Sequence, residues 1–318
     1  MKLAILADIH GNIQALDAVL ADVIPWQPDE IIVNGDMVNR GPNSLEVMTH
    51  LAELATTHTT HLVLGNHDDL MRKWVEQDAD LPEDWFTDSF WDTTAENATR
   101  LAEAGWLETL CNLPMTHEVD LPDAPTLLIS HGSPRHYREG YNRRLSDESI
   151  SEILQMHPAD VLIGSHTHVP MSRTWGHKRI LNTGAVGAPF NRDTRAQYMR
   201  LTLLPEPDDL ARTAQRWQVT FHAVDYDHAA ALVAYDETGY AARGGVSADI
   251  FRRELIHARP HYASFWMWCE TGGHPKDALH WQQFIDKHPE RFMLPEPLED
   301  QPIDYVDVNV DAADTRSS

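Results

Sequence analysis

Short apolar runs punctuate the first 200 residues. Leu3–Ala7, Glu30–Val33, His61–Leu64, Thr126–Ile129 and Val161–Ile163 are rich in Val, Ile and Leu and lack polar alternation, the pattern of strands buried on both faces. Between the first three lie stretches with helical spacing. Ile13, Leu16, Val19, Leu20 and Val23 share one face over residues 13–24, and Leu45, Val47, Met48, Leu51 and Leu54 do so over 44–55. This strand–helix–strand alternation predicts an α/β fold with parallel pairing through right-handed crossovers. Residues 69–110 read as mostly helical around a loop rich in aromatics (Trp85, Phe86, Phe90, Trp91). Beyond Ser165 the texture changes. Val169–Trp175, Arg179–Asn182, Gln197–Leu204 and Trp217–Val224 predict strands joined by short turns, in a second and more antiparallel sheet.

Residues 247–290 return to helix, with Tyr262, Phe265, Trp266 and Trp268 spaced for packing on the main body. In the acidic tail Val306, Val308 and Val310 alternate with Asp307, Asn309 and Asp311, which predicts an edge strand, and the remainder reads as mobile. The expected division is a main domain over 1–245, a helical cap or extension over 246–295 and the tail over 296–318.

Composition narrows the classes. The 318 residues are 42% hydrophobic and 23% charged, enough for a sizeable core. The net charge of −24 argues against a stable nucleic-acid complex, because phosphate backbones are held mainly by Lys and Arg. A phosphate-handling protein with this balance needs positive charge from elsewhere, and bound cations are one source. The two cysteines, Cys111 and Cys269, are far apart and read as reduced thiols of a cytoplasmic protein. The start, MKLAILADIHGN, is too short in apolar residues for a secretory signal, and no apolar stretch approaches a membrane span. The oligomeric state stays open.

The chemistry sits directly after the apolar runs. Five segments repeat one design, a strand followed at once by metal-ligand side chains: Asp8-Ile9-His10, Gly35-Asp36, Gly65-Asn66-His67-Asp68, His131-Gly132 and Gly164-Ser165-His166-Thr167-His168. Ligands of an open sheet gather beyond the carboxyl ends of its strands, so five segments of one sheet are expected to converge. The donor set, His and Asp with an Asn carbonyl and no thiolate, suits Mn²⁺, Fe, Zn²⁺, Co²⁺ or Ni²⁺ better than an all-oxygen Mg²⁺ site. Two such ions held close together need a shared carboxylate.

The order Asp-x-His, Gly-Asp, Gly-Asn-His-Asp, His-Gly and Gly-x-His-x-His over roughly residues 1–225 resembles the calcineurin-like metallophosphoesterases, and within them the branch of small bacterial and archaeal phosphodiesterases. The resemblance implies a four-layer α/β/β/α sandwich of two mixed sheets flanked by helices, here with a helical C-terminal extension. It implies a first metal held by Asp8, His10, Asp36 and His168, and a second held by Asp36, Asn66, His131 and His166, with Asp36 bridging; Mn²⁺ is the first choice. Ser165, between the glycine and the first histidine of the last motif, departs from many relatives. The segment Gly35-Asp36-Met37-Val38-Asn39-Arg40-Gly41-Pro42 is similar to one in Ser/Thr protein phosphatases and diadenosine tetraphosphatases, with Asn39 in place of Asp. Arg40 is then a candidate contact to substrate phosphate.

The activity implied is hydrolysis of a small phosphodiester, such as a cyclic nucleotide, by in-line attack of a metal-bridging hydroxide. Phosphomonoester, phosphoprotein or dinucleoside polyphosphate hydrolysis is the alternative, and a non-catalytic scaffold is disfavoured by the intact motifs. His67, beside the ligand Asn66 but not needed as a ligand, is the expected proton donor to the leaving oxygen, with Asp68 holding its ring. Asn12 is a candidate donor to substrate or, equally, the cap of the following helix.

Overall fold

Each apolar run becomes a strand whose two faces point into different layers. The computed structural model describes residues 1–205, 214–296, 298 and 301–309. Its strands are β1 (Lys2–Leu6), β2 (Glu30–Asn34), β3 (Thr60–Val63), β4 (Thr116–Val119), β5 (Leu127–Ser130), β6 (Val161–Gly164), β7 (Met171–Trp175), β8 (Lys178–Asn182), β9 (Ala196–Leu203), β10 (Trp217–Val224) and β11 (Val306–Asn309). The helices are α1 (Ile13–Val23), α2 (Ser44–Thr57), α3 (Asn66–Glu76), α4 (Asp92–Glu103), α5 (Leu107–Cys111), α6 (Asp147–Met156), α7 (His228–Glu237), α8 (Tyr240–His257), α9 (His261–Gly272) and α10 (Ala278–Lys287).

Two mixed sheets lie face to face. One runs β10-β9-β1-β2-β3, with β1, β2 and β3 parallel and β9 antiparallel to β1. The other runs β11-β7-β8-β6-β5-β4, with β8, β6 and β5 parallel. The period of two along β1 and β2 sorts the layers. Leu3, Ile5 and Ile32 meet Leu127, Ile129, Val161, Ile163 and Leu181 between the sheets. Ala4, Leu6, Ile31 and Val33 face the other way, against Leu16 and Val19 of α1 and Val47 and Leu51 of α2. On the far side Leu128, Leu162 and Ile180 pack on Ile150 and Ile153 of α6. In β1, β2, β5 and β6 burial on both faces is the reason the runs lack polar alternation, whereas β3, at the edge of its sheet, is only half-buried, contrary to the expectation for His61–Leu64. Ile5→Ala should cost about 2–5 kcal/mol, because the inter-sheet layer is closed from both sides; reversible urea unfolding measures it.

Three expectations change. The five ligand-bearing segments do not come from one sheet: three follow β1, β2 and β3 of the first sheet, two follow β5 and β6 of the second. The strands beyond Ser165 form no separate sheet either. Hairpin β7–β8 extends the second sheet, whereas β9 and β10 cross back to β1 of the first. The short strand β4, whose Thr-His-Glu-Val has no apolar run to mark it, was not among the expected strands.

The C-terminal helices share the core of the first sheet's helical layer, since Phe251, Leu255, Phe265, Trp281 and Phe284 belong to one cluster with Leu6, Leu51 and Leu101. The expected boundary at 245–246 falls inside α8, at a kink where Gly245 has φ 52°. The edge strand expected in the tail is present as β11, parallel to β7. Its expected continuation through Val310 and Asp311, with the rest of the tail, lies outside the described residues.

Candidate metal centre

Five strand ends bring seven donor residues to one place. Asp8 and Asp36 lie two residues past β1 and β2, His131 directly follows β5, and His166 and His168 follow β6. Asn66 and His67 are the first residues of α3, so this segment is a helix start and not a loop. The loops are tied by backbone hydrogen bonds: Asp8 N donates to Gly35 O (3.0 Å), His10 N to Asp36 O (3.0 Å) and Ser165 N to His131 O (2.8 Å). Left-handed φ angles concentrate here, at Asp8 (52°), His10 (51°), Asp36 (53°), Asn39 (69°), Arg40 (64°), His166 (64°) and His168 (57°). Each such conformation in a non-glycine residue costs of order 1–3 kcal/mol and persists only where surrounding structure enforces it.

The donors form two groups that meet. Asp8, His10 and His168 make one, Asp36, His131 and His166 the other, each with ligand atoms within 4.8 Å of one another. His168 Nε2 lies 3.2 Å from Asp8 Oδ1 and 3.2 Å from His10 Nε2. His131 Nε2 lies 3.2 Å from Asp36 Oδ2 and 3.2 Å from Asn66 Oδ1. His10 Nε2, 3.7 Å from Asp36 Oδ2, links the groups through Asp36.

The donor chemistry fits cations. The far nitrogens of two rings are committed to carbonyls, His168 Nδ1 to Ala188 O (2.5 Å) and His131 Nδ1 to Asn34 O (2.9 Å), which turns the Nε2 lone pairs inward. Inward they face carboxylate and amide oxygens, acceptor against acceptor. Asp8 Oδ1 and Asp36 Oδ2 are buried and accept no hydrogen bond among the described residues. A buried array of this kind needs positive charge at its centre. Burial presses His131 down, yet the Asp36 and Asp8 carboxylates outweigh it and raise this imidazole to about 10, so a proton competes with a cation for Nε2. Ser165 belongs to the support: its Oγ lies 3.0 Å from Asn34 O and 3.1 Å from His131 Nδ1.

Close approach of backbones is a condition of this geometry. A Cβ on Gly65 would stand 2.2 Å from both the amide nitrogen and Oδ1 of Asp36. Gly65→Ala should therefore displace Asp36 and lower bound metal per chain, with far-UV circular dichroism unchanged; elemental analysis after dialysis checks it.

His67 sits at the rim of both groups, its ring centroid 5.0 Å from that of His10. Asp68, expected to hold the His67 ring, is turned to backbone amides instead. Asp68 is fully buried and accepts from the backbone nitrogens of Gly65 (2.9 Å), Asp36 (2.8 Å) and Met37 (3.0 Å). It braces the Asp36 loop on the start of α3. Burial first, then the Asp36 carboxylate, push Asp68 up to about 7 against hydrogen bonds from those amides. The His67 ring instead meets the Asn39 amide at Nδ1 (3.0 Å) and the Arg40 Nε–H at Nε2 (3.2 Å). A neutral imidazole accepts at only one nitrogen, so donors at both edges disfavour the protonated ring. Burial, opposed by Asp36 and reinforced by Arg40 and Arg138, holds His67 well below the usual imidazole range.

Arg40 is brought to this rim, 3.1 Å from the buried Glu254 carboxylate of α8, with its guanidinium 5.5 Å from the Phe251 ring. Glu254 went unnoticed in sequence because 214 residues separate the pair. Asn39 carried a signal, three residues after Asp36 at the position where the similar segment has Asp. Asn12 takes the capping alternative: Oδ1 accepts from Ala15 N (3.1 Å) and Nδ2 donates to Gly187 O (3.0 Å). Nδ2 also lies 3.4 Å from Tyr226 Oη, so both amide hydrogens have partners within the fold.

Comparison with known proteins agrees with this geometry. A family model described as calcineurin-like phosphoesterase matches residues 1–170. A metallophosphoesterase from Sphaerobacter thermophilus is 25% identical, with a TM-score of 0.57 over 81% of this chain and 100% of its own. A hypothetical protein from Pyrococcus horikoshii OT3 shares the fold at 19% identity, with a TM-score of 0.62 over 79% of this chain and 97% of its own. Symmetrical bis(5'-nucleosyl)-tetraphosphatases are also similar: that of Serratia proteamaculans (strain 568) is 38% identical over 69 residues, 21% of this chain and 24% of that protein. That of Klebsiella pneumoniae (strain 342) is 41% identical over 70 residues, so the chain spans about a quarter of the length of the curated relatives it matches. No described helix is long and apolar enough to cross a membrane. The chain belongs to the calcineurin-like phosphoesterases, a family of dimetal-dependent phosphoester hydrolases.

Proposed function

We propose that the protein hydrolyses phosphodiesters. Asp8, His10, Asp36 and His168 would hold one divalent ion and Asp36, Asn66, His131 and His166 a second, with Mn²⁺ suited to the mixed nitrogen and oxygen donors. Such a pair supplies Lewis acidity for the phosphoryl oxygens and for the attacking water. His67 is the proton donor to the leaving oxygen. Its Nε2 faces the Arg40 Nε–H at 3.2 Å, and a phosphoryl oxygen that takes this hydrogen bond frees Nε2 to carry a proton. Negative charge beside Arg40 also offsets the guanidinium that, together with burial, keeps the ring deprotonated.

The observation that carries the diester reading is the Arg40–Glu254 pair at 3.1 Å. Glu254 already neutralises the nearest fixed cation, so the rim suits the single charge of a diester better than the two charges of a monoester. A second reading, hydrolysis of a dinucleoside polyphosphate, rests on the exposed Arg138, whose side chain has no carboxylate partner among the described residues and is free for a further phosphate. The helices over 246–295 act in either case as a cap that supplies Glu254.

The test is a hydrolysis panel on metal-reconstituted protein: bis-p-nitrophenyl phosphate, p-nitrophenyl phosphate and diadenosine tetraphosphate, each with Mn²⁺, Zn²⁺, Ni²⁺ and Fe²⁺. The diester should lead the monoester in kcat/KM by at least about tenfold, which corresponds to ~1.4 kcal/mol of differential transition-state binding. A lead for the monoester sinks the proposal, and a lead for the tetraphosphate favours the second reading.

A further inference from the structure

Three strands carry a polar residue where the core between the sheets would otherwise continue. Ile32 of β2, Val63 of β3 and Val119 of β4 are buried in that core. Two residues before each, and so on the same face of the same strand, stand Glu30, His61 and His117. β3 and β4 are the outer strands of their sheets. The two edges are tied where Leu64 N donates to Pro114 O at 2.8 Å. The trio therefore lies at the open edge of the layer between the sheets, and all three residues are partly buried.

Their donor atoms converge. His61 Nε2 lies 3.3 Å and His117 Nε2 3.9 Å from the same oxygen, Oε2 of Glu30. One ligand atom from each residue lies within 4.8 Å of those of the other two. The two imidazoles are stacked, with centroids 4.2 Å apart and planes 27° from parallel, so that both present Nε2 to the carboxylate. Bonds of about 2.0–2.1 Å to a tetrahedral Zn²⁺ put neighbouring ligand atoms about 3.3 Å apart. The His61–Glu30 pair has that spacing already, and the His117 pair needs only a small closure. A single histidine suffices to pair with a carboxylate; a second one directed at the same oxygen is what a coordinated cation calls for. Two imidazoles and one carboxylate are a recognised zinc donor set, with the fourth position left to water. His61 and His117 also border a cleft of about 580 Å³ at the surface, which gives an ion its path of entry.

We propose that Glu30, His61 and His117 form a separate cation site that takes Zn²⁺ and pins the edge of one sheet to the edge of the other. It shares no residue with the centre built on Asp8 and Asp36. Glu30 begins β2, whereas Asp36 lies beyond the other end of that strand. The site does not depend on which ester the main centre cleaves. Mn²⁺, lowest in the affinity order of these ions, should leave a three-donor site unfilled, so metal counts on Mn²⁺-loaded protein report the main centre alone.

Equilibrium dialysis of the full chain against about 1 µM free Zn²⁺, which fills only sites with a dissociation constant near or below that level, tests the proposal when followed by elemental analysis. Glu30→Gln and His117→Ala should each hold about one zinc equivalent fewer than the wild-type protein. Far-UV circular dichroism and the turnover of the Mn²⁺-loaded protein should not change. The difference between wild type and variant counts this site alone, however many ions the main centre holds. In the wild-type protein the ring signals of His61 and His117 in NMR spectra should shift on addition of Zn²⁺, a readout that covers the case of a variant that misfolds. Equal zinc content in the wild type and both variants, or ring signals unmoved by Zn²⁺, overturns the site and leaves the trio as an ion pair.

Discussion

Asp36→Asn is expected to remove at least one of two bound metal equivalents and to lower turnover by more than about a hundredfold, since loss of a ligand should exceed the 10- to 100-fold effect typical of groups that merely support one. The substitution keeps the shape of the side chain and changes its charge. Asp36 Oδ1 accepts from His67 N at 2.7 Å, a role an amide oxygen can fill. Oδ2 is the buried oxygen without a hydrogen bond, 3.2 Å from His131 Nε2 and 3.7 Å from His10 Nε2. Together with Asp8 Oδ1, which stands 3.2 Å from His168 Nε2 and 3.9 Å from His131 Nε2, it is one of two carboxylate oxygens among the described residues within 4 Å of a ring nitrogen from each ligand group, and the nearer of the two to the second group. An amide there brings no negative charge to two like-charged ions. Elemental analysis after gel filtration reads the result. Two retained equivalents at unchanged affinity would rule out Asp36 as the bridge.

His67→Ala should do the opposite to the metals and nearly as much to the rate. Both equivalents should remain, because neither proposed four-residue set includes His67, while kcat falls about 10²- to 10⁴-fold, the usual contribution of a general acid. The loss should depend on the leaving group. An alkoxide needs the proton and should suffer the full loss; p-nitrophenolate, a weak base, should suffer little. Comparing a methyl with a p-nitrophenyl ester therefore separates proton donation from damage to the site. A uniform loss across leaving groups, or loss of metal, counts against His67 as the donor.

Part of this chain is readable by eye for physical reasons. Strands that lie between two layers must be apolar on both faces, so Leu3–Ala7 and Val161–Ile163 announce themselves. Metal chemistry restricts side chains to His, Asp and Asn, so Asp8, His10, Asp36, Asn66, His131, His166 and His168 stand out at the strand ends, and the structure brings all seven together. Partners of those residues are far less legible. Asp68 reads as the neighbour of His67, yet the turn of α3 points its carboxylate at the amides of Gly65 and Asp36. Adjacent residues on a helix do not face each other.

The sequence by itself determined the strand cores, the identity of the donors and their order, because burial and coordination each admit only a few residue types. Tertiary structure alone decided that the donors come from two sheets, that β9 and β10 return to β1, that Asn39 and Arg40 flank His67, and that Glu254 reaches Arg40 from α8. These are contacts across long separations, where hydrogen bonding and charge set the partner only after packing has set the distance. The aromatic residues of α9 show the same limit: their spacing marks an apolar helix, and only the packed molecule shows that one of its faces is core and the other a wall of the cleft beside His67.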